Sequence, residues 1–401
     1  MMAQDMGRQG GTGPGAERGT GAAPGLFVPE HDMLRAQLRR FVKEEITPHA
    51  ARWEEEGAVP RSLLRRMGEL GFLGMRISPE HGGSGMDERA SVILAEELGR
   101  STFSGVAITV LVHTDMASVH VTNAGTAAQR ARYMPGIVDG SCITAVGITE
   151  PAAGSDVKGL RSTARRDGDG FILDGAKTFI TNGVLADLYC IAARTDPDAP
   201  PGRGMTMFLL EKGMPGFTVS KALDKHGWRS SDTAELSFDG VRLPVSSVLG
   251  EEGRGFYEIM KNFQNERLVL GAMCLGEAQA ALDLTLEHLR TRSAFGAPLW
   301  DKQAIRQRLA MLSARVEAGR QMVYATAARA AAGEPVVREV SMIKAYWGEL
   351  VNEVMYDCLQ FHGGMGFMRG SVIERMARDA RVQSIGGGAS EVMLEEVAKR
   401  L

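Results

Sequence analysis

The spacing of apolar residues changes twice along the chain. In the first and last thirds, apolar side chains recur three or four residues apart, which is the period of an α-helix with one buried face. This period predicts helices at 31–50, 60–70, 90–99, 106–122, 255–292, 301–332, 336–361 and 390–400. Between about 141 and 249 the period is two, and short segments alternate with glycine and proline turns, which is typical of β-strands.

The order of these regions predicts the fold class. We expect an α+β multidomain protein with an N-terminal α-helical domain at 26–140, a small β domain at 141–250 and a C-terminal four-helix bundle at 251–401. This order differs from the strand–helix alternation of a dinucleotide-binding fold, and no glycine cluster lies between a strand and a helix. Residues 1–25 are rich in glycine and alanine and are predicted to form a disordered tail.

Composition and charge give no indication of a nucleic-acid, membrane or metal partner. The 401 residues carry a formal net charge of -3, so neither sign of charge indicates a nucleic-acid or membrane-surface partner. The apolar runs are broken before the roughly 20 residues that a membrane span needs. The four cysteines are scattered without a CxxC pair, and the histidines form no cluster with metal-ligand spacing, so we expect no metal site. Reduced thiols and the lack of an apolar targeting segment at the start favour the cytoplasm.

One carboxylate lies at the edge of an apolar helical stripe. Phe256, Met260, Phe263, Leu270 and Cys274 share one face of the helix, and Glu266 is predicted half-buried beside them. Burial raises the pKa of a carboxyl toward values that suit proton abstraction. The alternative is an ordinary ion pair with Arg267 or Lys261 on a solvated flank. By contrast, Glu96 and Glu97 are predicted on a solvated helix face.

Several short segments occur in a recognisable order. They are ITEPAAGSD at 148–156, KTFITNG at 177–183, RSAFG at 292–296, QAI at 303–305, QFHGG at 360–364 and ARVQSI at 380–385. Together they resemble the acyl-CoA dehydrogenase family, and the likeness extends from about residue 28 to 401. The resemblance implies a helical, β-barrel and helical layout, an FAD cofactor, and the α,β-dehydrogenation of an acyl-CoA thioester to the trans-2-enoyl-CoA.

The resemblance also implies which residues hold the flavin. Ile148 and Thr149 would contact the pyrimidine edge of the ring, and Thr181 would form a hydrogen bond near N5. Ser155 would serve the pyrophosphate side, and Phe179 would form an aromatic wall beside the ring.

A second group of cofactor residues resembles contacts that family members supply from a neighbouring subunit. Its members are Arg292, Phe295, Gln303, Gln360 and Gly364. Arginine suits this role because its planar guanidinium binds phosphate oxygens in pairs. The resemblance therefore implies a homotetramer built from dimers. Glu391 occupies a cofactor-side position in the family, although an exposed acid at a helix N-terminus fits it equally.

The position of the catalytic base separates branches of the family. Many members carry it in a Tyr-Glu-Gly-Thr segment, whereas positions 386–389 here read Gly-Gly-Gly-Ala. The long-chain and isovaleryl branch carries the glutamate just before an arginine, on the first long helix of the C-terminal domain. That position is Glu266, followed by Arg267, so the resemblance implies that Glu266 is the base. It also implies that the Gly387 amide donates to the thioester oxygen.

The remaining expectations concern substrate and acceptor. Ser155, Phe263 and Arg267 are expected to contact the acyl-CoA, and an electron-transfer flavoprotein is the expected acceptor. Two alternatives stay open: a relative that uses a carrier-protein thioester or oxygen, and a non-catalytic flavoprotein, which the glycines at 386–388 would suit. Acyl chain length depends on helix-packing side chains that no motif reports.

Overall fold

The N-terminal region is helical, as predicted, in the computed structural model, which describes residues 26–200 and 202–401. The tail predicted at 1–25 lies outside these residues. The helices are α1 (Pro29–Phe41), α2 (Ala50–Glu56), α3 (Arg61–Glu69), α4 (Glu88–Gly99), α5 (Ser104–Leu111), α6 (Ser118–Ala124) and α7 (Ala127–Val138). A π-helical turn, Val112–Ala117, joins α5 to α6, and another at Val42–Ile46 continues α1. Helix α7 was not among the predicted helices, because its internal Pro135 interrupts the helical pattern.

The middle region is a β domain, as predicted. Its strands are β1 (Thr144–Gly147), β2 (Thr163–Asp167), β3 (Gly170–Thr181), β4 (Leu188–Arg194), β5 (Met205–Glu211), β6 (Phe217–Val219), β7 (Thr233–Pro244) and β8 (Val248–Leu249). They form one sheet in the order β6-β7-β3-β2-β4-β5-β8, and β1 pairs with β4 in parallel. In the described part of the chain, β6 and β8 are the two edge strands of this order, and they do not pair with each other.

Strand β4 joins the β domain to the helices. Alternate side chains of a strand point to opposite faces. Tyr189 and Ile191 pack into the core of the β domain, whereas Leu188 and Cys190 pack into a second core with residues of α6, α7 and α8, the last spanning Gly255–Thr291. Both faces of β4 are therefore buried, and its sequence is apolar almost throughout.

The C-terminal region contains the four predicted helices and one more. Its elements are α8, a short hairpin of β9 (Ser293–Ala294) and β10 (Ala297–Pro298), α9 (Gln303–Ala331), α10 (Val337–His362), α11 (Val372–Ala380) and α12 (Ser390–Ala398). Helix α8 has 37 residues, which corresponds to about 55 Å at 1.5 Å per residue. It packs against α4, α9 and α10, so it runs through the centre of the protein.

The two helical regions share one hydrophobic core. Helices α4 and α8 approach so closely at Gly276 that an added Cβ would overlap the carbonyl oxygen of Glu96. The prediction that Glu96 and Glu97 are solvated is wrong, since both are buried. Arg35 Nη1 donates to both carboxylates, at 2.8 and 3.0 Å, and Arg320 Nη1 donates to Glu96 at 2.9 Å. The two carboxylates therefore contact guanidinium groups from α1 and α9 instead of the solvent that the sequence pattern predicted.

Two helical stretches are long and apolar enough to span a membrane by length and composition. They are Ser104–Ala124 and Gly255–Thr291. Isolated polar residues interrupt both stretches, so neither is an unbroken apolar run in the sequence. In each stretch 83% of the apolar window is buried inside the protein, as expected for core helices.

Candidate active site

Glu266 is more deeply buried than predicted. Its side chain lies on the inner face of α8, and the residue is 7% exposed. Asn262, one turn earlier, donates Nδ2 to Glu266 Oε1 at 2.9 Å and to the carbonyl oxygen of Met116 at 2.9 Å. Burial raises the pKa of Glu266 to about 8, although the charge of Arg267 and the Asn262 hydrogen bond act in the opposite direction. The carboxyl can therefore lose and regain a proton near neutral pH.

The ion-pair alternative for Glu266 is wrong. Among the described residues, neither Arg267 nor Lys261 forms an ion pair with it. The Arg267 guanidinium is buried beside α10, where Nη1 lies 3.4 Å from Ser341 Oγ, and its Cζ lies 5.8 Å from the Phe263 ring centroid. Burial lowers the pKa of Arg267, and its Nε has no hydrogen-bond partner in the described part of the chain. The substrate contacts of Arg267 and half-buried Phe263 stay predictions.

The glycine loop at 386–388 lies against α8 one turn beyond Glu266. Gly387 has a φ of 65°, and a Cβ added to it would overlap Leu270 Cδ1. Within the described residues, the exposed Gly387 amide donates to no acceptor. A side chain at 386 would meet only Val382, at 3.5 Å. The loop therefore offers a free N–H group beside α8, with open space next to it.

A buried ion pair joins the two segments that resemble flavin-binding segments. Lys177 Nζ donates to Glu150 Oε1 at 2.7 Å and to the carbonyl oxygen of Ile148 at 3.2 Å. The amides of Arg161 and Ser162 also donate to Glu150, at 2.6 and 2.9 Å. Burial opposes ionisation of Glu150, but Lys177 and these donors outweigh it and hold the pKa of Glu150 below its ordinary value. The pair fixes the end of β1 against β3.

A bulge in β3 presents Phe179 to solvent. The register with β7 shifts between Lys177 and Ile180, so the intervening residues leave the ladder. The freed amide of Thr178 donates to the carbonyl oxygen of Thr149 at 2.9 Å. Phe179 has a φ of 60° and is 69% exposed. A bulky residue with positive φ and an exposed ring indicates a surface shaped for a ligand.

Most of the predicted cofactor residues lie at the surface of the protein. Of the five non-glycine residues with positive φ in the described ranges, three belong to the predicted flavin segments: Phe179, Asn182 and Phe295. Phe295 is 97% exposed on the β9–β10 turn, a costly position for an aromatic ring unless something covers it. Ile148 is buried and Thr149 and Thr181 are half-buried, whereas the others are exposed: Ser155, Arg292, Gln303, Gln360, Gly364 and Glu391.

The exposed members divide into two groups by position. Ser155 and Ile148 lie in the segment that follows β1, whereas the predicted partner-supplied residues lie around the ends of α8 and α10. Arg292 has no ion pair within the described residues, so its guanidinium is available to an anion. Glu391 lies in the first turn of α12, as its helix N-terminus interpretation requires, and its cofactor role stays a prediction.

Three polar residues of this site were missed by the sequence analysis. Asn262 was overlooked although it lies four residues before Glu266, the spacing that brings helical side chains together. Lys177 interrupts a largely apolar strand, and Lys344 lies on the buried stripe of α10 between Val340 and Trp347. A lysine at such a buried position is the signal that could have identified both.

Known proteins resemble this chain over most of its length. Sequence profiles described as the N-terminal, middle and C-terminal domains of acyl-CoA dehydrogenase match residues 28–141, 145–241 and 253–401. The mitochondrial long-chain specific acyl-CoA dehydrogenase of Sus scrofa is 38% identical over 94% of this chain and 87% of its own length. The isovaleryl-CoA dehydrogenase of Pongo abelii is 36% identical over 90% and 86%. The solved structure of a probable acyl-CoA dehydrogenase from Mycobacterium abscessus matches with a TM-score of 0.90 and 42% identity, covering 94% and 99% of the two chains. The chain belongs to the acyl-CoA dehydrogenase family.

Proposed function

We propose that this protein is an FAD-dependent acyl-CoA dehydrogenase in which Glu266 removes the α-proton of the thioester. The observation that carries this proposal is the combination of a buried carboxyl, with a pKa raised to about 8, and a free amide at Gly387 on the adjacent loop. A carboxylate base and a donor to the carbonyl oxygen are what α-proton abstraction needs. Such an enzyme is an oxidoreductase acting on the CH–CH group.

Each group has a distinct task in this reaction. The Gly387 N–H donates to the thioester carbonyl oxygen, which makes the α-proton more acidic. Glu266 accepts that proton, and Asn262 holds the carboxyl toward the π-helical turn while it does so. Bound FAD would supply the acceptor for the β-hydrogen as hydride, so the substrate would lose one proton and one hydride and become the enoyl thioester.

The residues around Phe179 fit the FAD of this family. We infer that Ile148, Thr149 and Thr181 bind the polar edge of the ring and that Phe179 covers part of it. Ser155, Arg292, Gln303, Gln360 and Gly364 are exposed polar or flexible positions that suit the pyrophosphate and adenosine. Ser155, Phe263 and Arg267 remain the proposed contacts to acyl-CoA. The support is the exposure of Phe179 and of the pyrophosphate and adenosine group, together with the order of all these residues in the sequence.

The pH dependence of flavin reduction should show the ionisation of the Glu266 carboxyl. Only the carboxylate accepts a proton, so kcat/KM is expected to rise with pH through a midpoint near the pKa of about 8 and to fall tenfold per unit below it. Anaerobic stopped-flow measurements of flavin bleaching across this range provide the profile.

Glu277 offers a matched control for this profile. It lies on the same helix, is 1% exposed, and burial also raises its pKa to about 8. Glu277→Gln should leave the midpoint unchanged. If Glu277→Gln shifts the midpoint, the ionisation in the profile belongs to Glu277 and not to Glu266.

We infer that the cofactor site is completed by a second subunit and that the protein is a homotetramer. The support is Phe295, whose ring is 97% exposed, together with the exposed and unpaired Arg292 in the described chain. Four chains of 43.2 kDa give a mass of about 173 kDa, which light scattering measures directly.

Complementation between two inactive variants tests the shared site. Arg292→Ala should lose flavin, and Glu266→Gln should keep flavin without reacting. In a mixed dimer with partner-supplied Arg292, one of the two sites has both native residues. Coexpression should therefore restore activity at about one site in four, because random pairing makes half of the dimers mixed. If coexpression restores no activity although mixed dimers form, Arg292 serves the flavin of its own subunit.

We also propose an electron-transfer flavoprotein as the acceptor and the cytoplasm as the location. The family resemblance supports the acceptor, and the four unpaired cysteines suit a reducing compartment. Comparing reoxidation by an electron-transfer flavoprotein with peroxide formation in air distinguishes this acceptor from oxygen. Offering the same acyl group on CoA and on a carrier protein tests the other alternative. The deeply buried Glu266 argues against a flavoprotein without a base.

A further inference from the structure

Lys344 is a buried cation next to the glycine loop. Its side chain projects from α10, and the residue is 1% exposed. Among the described residues it has no carboxylate partner; Nζ donates instead to the carbonyl oxygens of Gln383, at 2.5 Å, and Gly388, at 3.1 Å. Burial lowers the pKa of Lys344 to about 8. Burying an ammonium group without an anion costs free energy, so we expect this lysine to serve a function at its position.

The two carbonyl groups lie on either side of Gly387. Besides these bonds, the loop is held by the amides of Ile385 and Gly386, which both donate to the carbonyl oxygen of Val382. Gly387 and Gly388 have φ values of 65° and 104°, and glycine residues have many other conformations available. The ammonium therefore closes a segment that would otherwise have few restraints.

Lys344 and Leu270 contact the loop at Gly387 from two helices. The Lys344 Cε lies 3.6 Å from the position of a Cβ added to Gly387, and Leu270 Cδ1 lies closer still. Leu270 belongs to α8, which carries Glu266, and Lys344 belongs to α10. The Gly387 amide is thus held at a fixed place relative to the base by one apolar contact and one charged contact.

We propose that Lys344 is a positioning residue that sets the Gly387 N–H for the thioester carbonyl oxygen. This inference rests on the proposed function, since it assigns the amide a reacting partner. Lys344 acts in this proposal through its hydrogen bonds to the loop carbonyl groups. Displacement of a reacting group by about 1 Å costs on the order of 100-fold in rate, which sets the size of the expected effect.

The test compares Lys344→Met and Lys344→Gln with Lys225→Met. Lys225 serves as the control, because its Nζ also donates to a main-chain oxygen, that of Ser231, and burial also lowers its pKa to about 8, although it is half-buried. Hydrogen–deuterium exchange of peptides that cover 383–389 reports the loop directly. Anaerobic flavin bleaching at saturating acyl-CoA reports the reaction, and the affinity for enoyl-CoA reports binding.

Lys344→Met is expected to speed exchange in the loop and to slow bleaching by on the order of 100-fold, with a smaller change in enoyl-CoA affinity. Lys344→Gln keeps a donor for one carbonyl group, so its loop exchange and its bleaching rate should both lie between those of the parent and of Lys344→Met. It also provides a folded variant if the methionine variant does not fold. Lys225→Met should change neither. Parental exchange in the loop, or a parental bleaching rate, would overturn the proposal. Absence of bleaching in the parent enzyme would instead refute the proposed function, while the exchange measurement would still test the loop.

Discussion

Glu266→Gln is expected to slow flavin reduction by acyl-CoA by on the order of 10²- to 10⁴-fold, the contribution of a positioned general base. Glutamine has nearly the same volume and can still accept the Asn262 Nδ2 hydrogen bond, but it cannot take a proton. FAD content and the affinity for enoyl-CoA should stay close to those of the parent. Stopped-flow absorbance under anaerobic conditions measures the rate.

The same substitution has an expected effect on stability, which shows whether the variant is folded. Because the pKa of Glu266 is raised to about 8 in the folded state, the native carboxyl keeps its proton at pH values where the unfolded chain has lost it. Stability contributed by this group is therefore lost as the pH rises from about 4.5 to about 8. Glu266→Gln should unfold at a higher temperature than the parent at pH 8 and at a similar temperature near pH 4. A fast-bleaching variant would assign the base to another residue.

Lys177→Met is expected to release FAD and to lower the free energy of unfolding by about 3–5 kcal/mol, because it leaves the buried Glu150 carboxylate without its cation. The lysine also donates to the carbonyl oxygen of Ile148, so the ends of β1 and β3 lose their connection. Flavin absorbance of the purified variant and urea unfolding measure the two effects.

Two further variants separate the ion pair from a general loss of charge. Lys43→Met removes an exposed lysine and should change neither quantity. The double variant Lys177→Met, Glu150→Gln removes both buried charges and should regain part of the stability, since no unpaired carboxylate remains. Parental flavin content in Lys177→Met would mean that the two segments do not depend on this pair.

Periodicity alone identified the fold well, because long amphipathic helices and turn-bounded strands carry strong local signals. All four predicted C-terminal helices are present, and α8 begins at the predicted residue. The burial of Glu96 was missed because its partners, Arg35 and Arg320, come from distant helices. Local pattern cannot report contacts between residues that are far apart in sequence.

In the candidate site, too, some features were predictable from the sequence and others depend on contacts between distant residues. Glu266 was identified by its position before Arg267, and the structure added what sets its pKa: full burial and the Asn262 hydrogen bond. The bulge that turns Phe179 outward depends on pairing with β7, so it was not predictable from the KTFITNG segment alone. The link from Lys344 to the glycine loop joins elements about 40 residues apart and became visible only in three dimensions.

The glycines at 386–388 support the proposal that the base lies on α8. At Gly387 an added Cβ would overlap Leu270 in a left-handed backbone conformation, so this loop does not suit a catalytic side chain. The adjacent Gly386 leaves space that a larger residue would fill. The loop is consequently suited to donate its amide, and Glu266 on the facing helix is the proposed proton acceptor.

Anaerobic titration of the purified enzyme with acyl-CoA thioesters of graded length and branching tests the central claim most directly. We predict that at least one thioester bleaches the flavin completely and that one equivalent of trans-2-enoyl-CoA forms per FAD reduced. Flavin that stays oxidised with every thioester, although enoyl-CoA binds, would contradict the assignment of Glu266 as an active base.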